Sequence, residues 1–500
     1  DASDAAWAVS FLCGRKPRQV VKTRSLRAWA SECASIPDWL FAECYETVGD
    51  LAETITLLLP KAESTDDRSL SEWVSQLQSL ASLEESERKT AVIAAWNRLN
   101  PAQRFLWNKL ITGGFRVGVS QSLVIRALAK VSGVAPTIIA HRLMGNWLPT
   151  PEFYTTLITP DYSERSPSQP YPFFLAHPLE DPLDQLGQPK EWQAEWKWDG
   201  IRAQVIRRAG ECFIWSRGEE LVTERYPEVA AAVAGLPEGT VLDGELLPWN
   251  QGRVRPFADL QKRIGRKSLT KKLLAEIPVV FLAYDLLEYA GQDCRANPLM
   301  WRRELLEKVV TTLNVPNLRL SEIVSFSAWE ELTAYRQQSR SRSVEGLMLK
   351  RRDSPYRVGR VRGDWWKWKI EPLTIDAVLT AAQRGHGKRA SLYTDYTFSV
   401  WDDGRLVTVA KAYSGLSDAE IREVDAFIRA NTLEKFGPVR TVKPELVFEL
   451  GFEGIQRSTR HKSGIAVRFP RILRPRPDKQ CIDADSLHTL KQILSQVSPA

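Results

Sequence analysis

Residues 195–202, Glu195-Trp196-Lys197-Trp198-Asp199-Gly200-Ile201-Arg202, read as a strand running into a tight turn. Period-two alternation puts Glu195, Lys197 and Asp199 on one side of that strand, and Asp-Gly is a strong turn pair. An isolated K-x-D-G-x-R can also be an ordinary surface hairpin. Further charged strands follow, however. In 241–247, Asp243 and Glu245 share a face opposite Leu242 and Leu246; 279–287 is apolar and carries Tyr284 near its end; 344–350 sets Glu345 and Lys350 at its two ends. In 365–370, Lys367 and Lys369 alternate with Trp366 and Trp368. Each strand alone has a bland explanation: a solvated pair of acids, a core aromatic, an exposed edge. Together they supply what a nucleoside triphosphate needs, namely cationic donors for phosphates, carboxylates for a divalent cation and an aromatic plane for a base.

The elements that must position these groups change character along the chain. Residues 1–150 read as helical: apolar positions recur at threes and fours in 81–99 and 103–111, with Asn100-Pro101 as a break and restart. Gly113-Gly114 punctuates, and Ser120 is placed to cap a helix over 120–131. From 149 to 189 a Pro-rich stretch without periodicity reads as linker and domain entry. Short strands follow, with helices near 226–236 and 298–313. From Thr374 a third region predicts strands over 396–401, 406–412 and 445–450. Its one helix spans 418–431, with Ser417 and Glu420 as a capping box and Ile421, Val424, Phe427 and Ile428 on one face. That content fits a five-strand barrel with one helix.

Composition excludes several classes. The 500 residues are 43% apolar and 26% charged, with ordinary Gly and Pro, which rules out collagen-like, coiled-coil and disordered chains. No apolar run approaches the ~20 residues of a membrane span, and no basic-then-apolar leader opens the sequence. Six scattered cysteines lack the spacing of a zinc site or a disulfide framework, and read as reduced thiols of a cytosolic protein. The net charge of +7 hints at a polyanionic partner. Its distribution says more. Residues 101–150 hold six bases (Arg104, Lys109, Arg116, Arg126, Lys130, Arg142) and no acid, whereas 151–200 hold nine acids against three bases. Such a block reads as a surface for phosphates, with a solvated helical face as the alternative.

The strand series resembles the six nucleotidyltransferase motifs of the covalent-lysine superfamily, which comprises DNA ligases, RNA ligases and capping guanylyltransferases. The ending Arg468-Phe469-Pro470-Arg471 followed by Arg476-Pro477-Asp478-Lys479 is similar to ATP-dependent DNA ligases in particular. So is Gly114-Phe115-Arg116-Val117-Gly118-Val119-Ser120, which resembles the segment where their helical domain grips the duplex. The resemblance implies a multidomain chain: an all-α DNA-binding domain over 1–170, an α+β adenylation domain over 171–372 and an OB-fold barrel over 373–500. It implies Lys197 as the nucleophile that takes AMP from ATP, Glu195 reading the adenine amino group and Tyr284 stacking on the purine where many relatives carry Phe. It implies that Glu245 and Arg217 bind ribose or orient the nucleotide, and puts Arg202 at the nucleotide or the acceptor 5′-phosphate. Lys367 and Lys369 fall at the α-phosphate, and Arg362, in preference to Arg360, at a phosphate. Glu345, with Glu245 second, is implied for Mg²⁺ or Mn²⁺. Arg468, Arg471 and Lys479 would orient pyrophosphate, and a hinge would follow Ile370 near Glu371-Pro372 or Asp376. The DNA grip falls on Arg116, Arg126 and Lys130. The expected partner is nicked double-stranded DNA, encircled by a monomer, in repair, recombination or replication; the expected place is the cytoplasm, at a prokaryotic nucleoid.

Three other functions compete. An RNA ligase or capping enzyme shares the lysine motif but lacks the long helical region and the R-F-P-R ending. An NAD⁺-using ligase carries a four-cysteine zinc module that these cysteines cannot build. A non-catalytic nucleic-acid clamp would need none of Lys197, Glu245, Glu345, Lys367 and Lys369.

Overall fold

The computed structural model describes residues 1–497 apart from 16–18, 62–66, 114–117, 146, 161–166, 265, 267–268, 386–388 and 390. The first region is helical throughout, from Ala2–Leu12 to Pro151–Ile158. The expected break stands between Glu85–Arg98 and Pro101–Thr112: Asn100 accepts from the Gln103 amide, Gln103 answers at the Asn100 amide, and Pro101 opens the helix. Gly113 ends it with φ 63°, a left-handed cap that glycine adopts at little cost. Trp29, Trp73, Trp96 and Trp107 fill the core of this region, with the Trp73 and Trp107 rings edge-on at 4.9 Å.

Two expectations are corrected here. Ser120 does stand at the N-cap of Gln121–Ser132, but its side chain makes no capping bond and meets Ser122 Oγ instead. The 149–189 stretch is not all linker. Thr150 accepts from the Phe153 amide and Pro151 takes the first helical position, so Pro151–Ile158 folds and buries Leu157 against Val9, Ala129 and Ile139. Tyr171 is tied to Gln204 by two hydrogen bonds and so belongs to the second, strand-rich region.

That second region pairs two sheets. One orders the strands Ile323–Val324, Trp192–Trp198, Val344–Arg351, Trp365–Lys369 and His177–Pro178; the other orders Leu318–Leu320, Val279–Tyr289, Thr240–Asn250, Ile201–Arg208 and Glu211–Ser216. Helices Pro227–Val233 and Leu299–Leu313 lie near their expected positions. Phe257–Ile264, Lys271–Glu276 and Trp329–Gln337 are additional.

The third region is a curled, OB-like sheet in which Leu373–Arg384 pairs with Tyr393–Asp402, Val439–Val442 and Val447–Phe452. The helix Asp418–Ala430 has its Ser417/Glu420 capping box, and Ile421, Val424 and Ile428 are buried. No helix among the described residues is long and apolar enough to cross a membrane.

Candidate active site

The chain reversal at Asp199-Gly200 links the two sheets directly, because Trp192–Trp198 belongs to one and Ile201–Arg208 to the other. A cleft of about 540 Å³ opens between them. It is lined by Glu195, Lys197, Arg202, Arg217, Glu245, Tyr284, Glu345, Lys367 and Lys369, with Arg468 arriving from the third region. Cross-strand register explains part of this convergence: Met348 opposes both Glu195 and Lys367, and Arg202 opposes Glu245.

Two of these side chains sit at β-bulges, where an extra residue re-aims the strand. Asp243 pairs with Asp285 and Gly244 with Ala283, so Tyr284 is the unpaired residue between them. Between Val344 and Leu347 the register also slips by one, at Glu345-Gly346. Gly346 has φ 138°, and a Cβ there would lie 2.2 Å from the Trp368 carbonyl oxygen, so only glycine fits this turn of the strand.

The charges are coupled across the cleft. Lys197 Nζ donates to Glu345 Oε2, and Lys369 Nζ lies 3.4 Å from the same oxygen. Burial pushes the Glu345 carboxyl up, but Lys197 and Lys369 outweigh it and hold the group below its ordinary value. Lys367 is pulled below its ordinary value by burial and by the cations Arg360, Lys369, Lys197 and Arg217. Glu245 behaves oppositely. Burial outweighs Lys197 and Arg202 and pushes its carboxyl up to about 8, so it is largely protonated at neutral pH. Arg202 is anchored to buried Asp243, 2.6 Å from Nη2, and to the Phe174 carbonyl, 2.7 Å from Nη1; Tyr356 donates to the same Asp243 at 2.7 Å.

Divalent cations need oxygen ligands, and Mg²⁺ in phosphate sites is held by one or two carboxylates plus the phosphates themselves. Glu345, ionised in the cleft, fits that need. Glu245 fits it poorly because its proton must first be lost. Among the described residues no cluster of three or more metal-ligating side chains exists.

Other expected residues are placed differently. Arg360, not Arg362, lines the cleft. The pairing of Gly359–Arg360 with Phe174–Leu175 carries Arg360 in, while Arg362 is exposed and reaches Asp181 at 3.0 Å. Lys479 lies outside the cleft: it sits 2.6 Å from Asp376, which Arg476 holds at 2.8 Å. Asp376 therefore ties the third region to itself. Arg468 donates to Asp199, and Arg471 reaches Glu453 at 3.5 Å. Glu453, which sequence reasoning missed, enters the cleft and takes Lys369 at 2.7 Å. Only the fold could reveal it, because a single acid before a glycine has no signature. Lys350 was legible as a strand-end lysine, but not as a residue that faces Glu195.

The acid-free block divides. Arg104 is buried, donating to the carbonyls of Trp96 and Leu59; Lys109 is paired with Asp50; and Arg142 donates to the carbonyls of Thr156, Leu157 and Thr159. These three serve the fold. Arg126 and Lys130, one turn apart on Gln121–Ser132, are exposed. Arg116 lies outside the described residues.

Comparison with known proteins accounts for most of the chain. Residues 173–369 match the ATP dependent DNA ligase domain, 389–479 the ATP dependent DNA ligase C terminal region and 1–129 the DNA ligase N terminus. A probable DNA ligase of Koribacter versatilis is 32% identical over 98% of this chain and 90% of its own length. The chain belongs to the ATP-dependent DNA ligases. DNA ligase 1 of Korarchaeum cryptofilum is 30% identical over 81% of this chain and 75% of its own length. A solved structure named Pmar-Lig_PreS3 shares the fold, with a TM-score of 0.61 at 17% identity over 95% of this chain and 99% of its own. This ligase thus uses ATP and acts on DNA, and it combines a helical region, an adenylation domain and an OB-like domain.

Proposed function

We propose that this ligase seals nicks in duplex DNA through a lysyl-AMP intermediate on Lys197, with the cleft as the single site for all three steps. The observation that carries the reading is the convergence of Lys197, Glu345, Lys367 and Lys369 from three strands onto one cleft. In the first step the Lys197 Nζ lone pair attacks the α-phosphorus of ATP, and the bond to pyrophosphate breaks. A lysine amine is protonated at neutral pH and must shed that proton to act; the Glu345 carboxylate, bonded to Nζ, is positioned to accept it and to orient the amine. Lys367 and Lys369 neutralise the charge that gathers on the α-phosphate oxygens. Mg²⁺ or Mn²⁺, which Glu345 would hold, would supply Lewis-acid stabilisation of that charge.

Glu195 accepts from the adenine amino group, and Tyr284 stacks on the ring. Glu245, protonated, can donate to the ribose, a role that suits its burial better than metal binding. Arg217 stands at the ribose and Arg360 at a phosphate. Arg202, fixed by Asp243, faces the nucleotide or the 5′-phosphate. Arg468 and Arg471 come from a separate domain, as suits groups needed for pyrophosphate in the first step only. A nick's 5′-phosphate oxygen then attacks the lysyl-AMP phosphorus, breaking its bond to Nζ. Finally the 3′-hydroxyl attacks the 5′-phosphate and expels AMP.

Arg126 and Lys130 belong to the duplex grip of a monomer that encircles DNA, in the cytoplasm of a prokaryote. Nick sealing tests the reading. The parent joins a nicked duplex with ATP; Lys197→Ala fails to do so, yet joins part of a nick already bearing AMP on its 5′-phosphate. Failure of the parent with ATP, or full ATP-dependent sealing by Lys197→Ala, overturns it.

A further inference from the structure

Beneath the expected base-binding residues lies a buried cation that none of the three steps uses. Lys350 is 1% exposed. Its Nζ donates to Glu195 Oε1 at 2.9 Å, and the same oxygen accepts from Gln193 Nε2 at 2.7 Å. Nζ also stands 4.2 Å from the centroid of the Tyr284 ring and 4.6 Å from that of Trp365, at cation–π range. One ammonium therefore touches both groups to which base recognition is assigned. The contact crosses strands, since Lys350 opposes Gln193 in register while its head reaches Glu195.

A buried lysine is expensive unless it is paired, and the pair is expensive unless it is further bonded. Gln193 and the two rings supply that further bonding. The arrangement fixes one carboxylate oxygen of Glu195 between the Lys350 ammonium and the Gln193 amide, and so sets the orientation of the carboxylate. Without the cation, the buried carboxylate loses the partner that fixes it and is free to turn away from the base. That difference matters for bases. A carboxylate held in place accepts from the exocyclic amine of adenine and repels the carbonyl oxygen of guanine; one that turns away does neither.

We infer that Lys350 is the positioning residue that sets base specificity in this ligase: by holding the Glu195 carboxylate in place and steadying the Tyr284 ring, it makes the site select ATP over GTP. This rests on the reading of Glu195 and Tyr284 as the base contacts. Lys350 acts through them and takes no part in bond making.

The test compares self-labelling by α-labelled ATP and α-labelled GTP over a range of concentrations, for the parent, Glu195→Gln, Lys350→Met and Lys350→Arg. Lys350→Met should raise the half-saturating ATP concentration about tenfold or more while the maximal rate falls less, and should lower the ATP-to-GTP efficiency ratio by about tenfold. Lys350→Arg, which keeps the charge, should bring the ratio back toward the parent's. A purely structural lysine would lower labelling by both nucleotides alike, so an unchanged ratio in Lys350→Met overturns the inference. Where Lys350→Met does not fold, as judged by melting and nicked-DNA binding, Lys350→Gln is read in the same way, because it leaves Glu195 a donor but no charge. Glu195→Gln separates the two levels. If it leaves the ratio unchanged, the base-contact reading itself fails; if it lowers the ratio and the Lys350 variants do not, only the role of Lys350 fails.

Discussion

In the helical region, Arg104 sinks its guanidinium onto main-chain carbonyls, Lys109 is taken by Asp50 and Arg142 gathers carbonyls at the end of Pro151–Ile158. In the cleft, Lys197 and Lys369 share one carboxylate, and Lys367 stands among cations that depress its proton affinity. The residue types are the same; the difference is what surrounds them. Arg104, Lys109 and Arg142 are satisfied one at a time by neighbours of their own region. Cations in the cleft share too few acids, which leaves net positive charge to be met by a ligand. A count of basic residues in a window cannot tell these cases apart.

The comparison is sharpest at Arg104. Replacing it with Met strips its bonds from the buried carbonyls of Trp96 and Leu59, and unpaired buried acceptors are costly. Arg104→Met should destabilise the folded chain by about 2–4 kcal/mol in thermal or denaturant unfolding, with self-adenylation of the remaining folded protein unchanged. A variant that stays stable but loses DNA affinity would instead return Arg104 to the phosphate-binding surface.

Within the cleft, Glu245 offers a prediction of opposite sign. Its carboxyl sits at about 8 in the folded chain against an ordinary 4.5. Between those values the folded state binds the proton more tightly, so this group makes stability fall as pH rises through that window. Glu245→Gln removes the effect: relative to the parent it should melt higher at about pH 8 than the same comparison gives at about pH 5, in the absence of nucleotide. An equal displacement at both pH values contradicts the burial argument.

The smallest expected effect belongs to the two exposed cations. Changing Arg126 and Lys130 together to Ala should flatten the dependence of log affinity for nicked DNA on log salt by roughly two units between about 50 and 200 mM, at about 0.9 per phosphate contact. Self-adenylation should not change. An unaltered slope would make these two residues an ordinary solvated helical face.

How far the sequence could be read follows the same division. Strand-borne groups were legible, since period-two alternation fixes which side chains share a face before any register is known. Lys197, Glu345, Lys367 and Lys369 fall in this class. Contacts across strands were not, because register is a tertiary property: the Lys350–Glu195 pair lies 155 positions apart in the chain. Turns were ambiguous. Arg360 and Arg362 are equivalent on paper until the pairing of Gly359–Arg360 with Phe174–Leu175 separates them. The bulges at Tyr284 and Glu345 were half visible, through the glycine at 346 in an otherwise regular strand. Pro151–Ile158 did carry a signal, a threonine before a proline at a helix start, but the prolines around it dominated the reading. The R-F-P-R and R-x-D-K ending is legible as a motif, but its split is not: Asp376 pairs with Lys479 while Arg468 lines the cleft.

The central claim is that Lys197 is the residue that carries AMP. Incubation of the parent with α-labelled ATP and Mg²⁺, denaturation, proteolysis and mass analysis test it directly. The account predicts one labelled peptide, containing Lys197 with the mass of AMP on its side chain, and no label in Lys197→Ala. Label on any other residue, or undiminished label in the alanine variant, contradicts it.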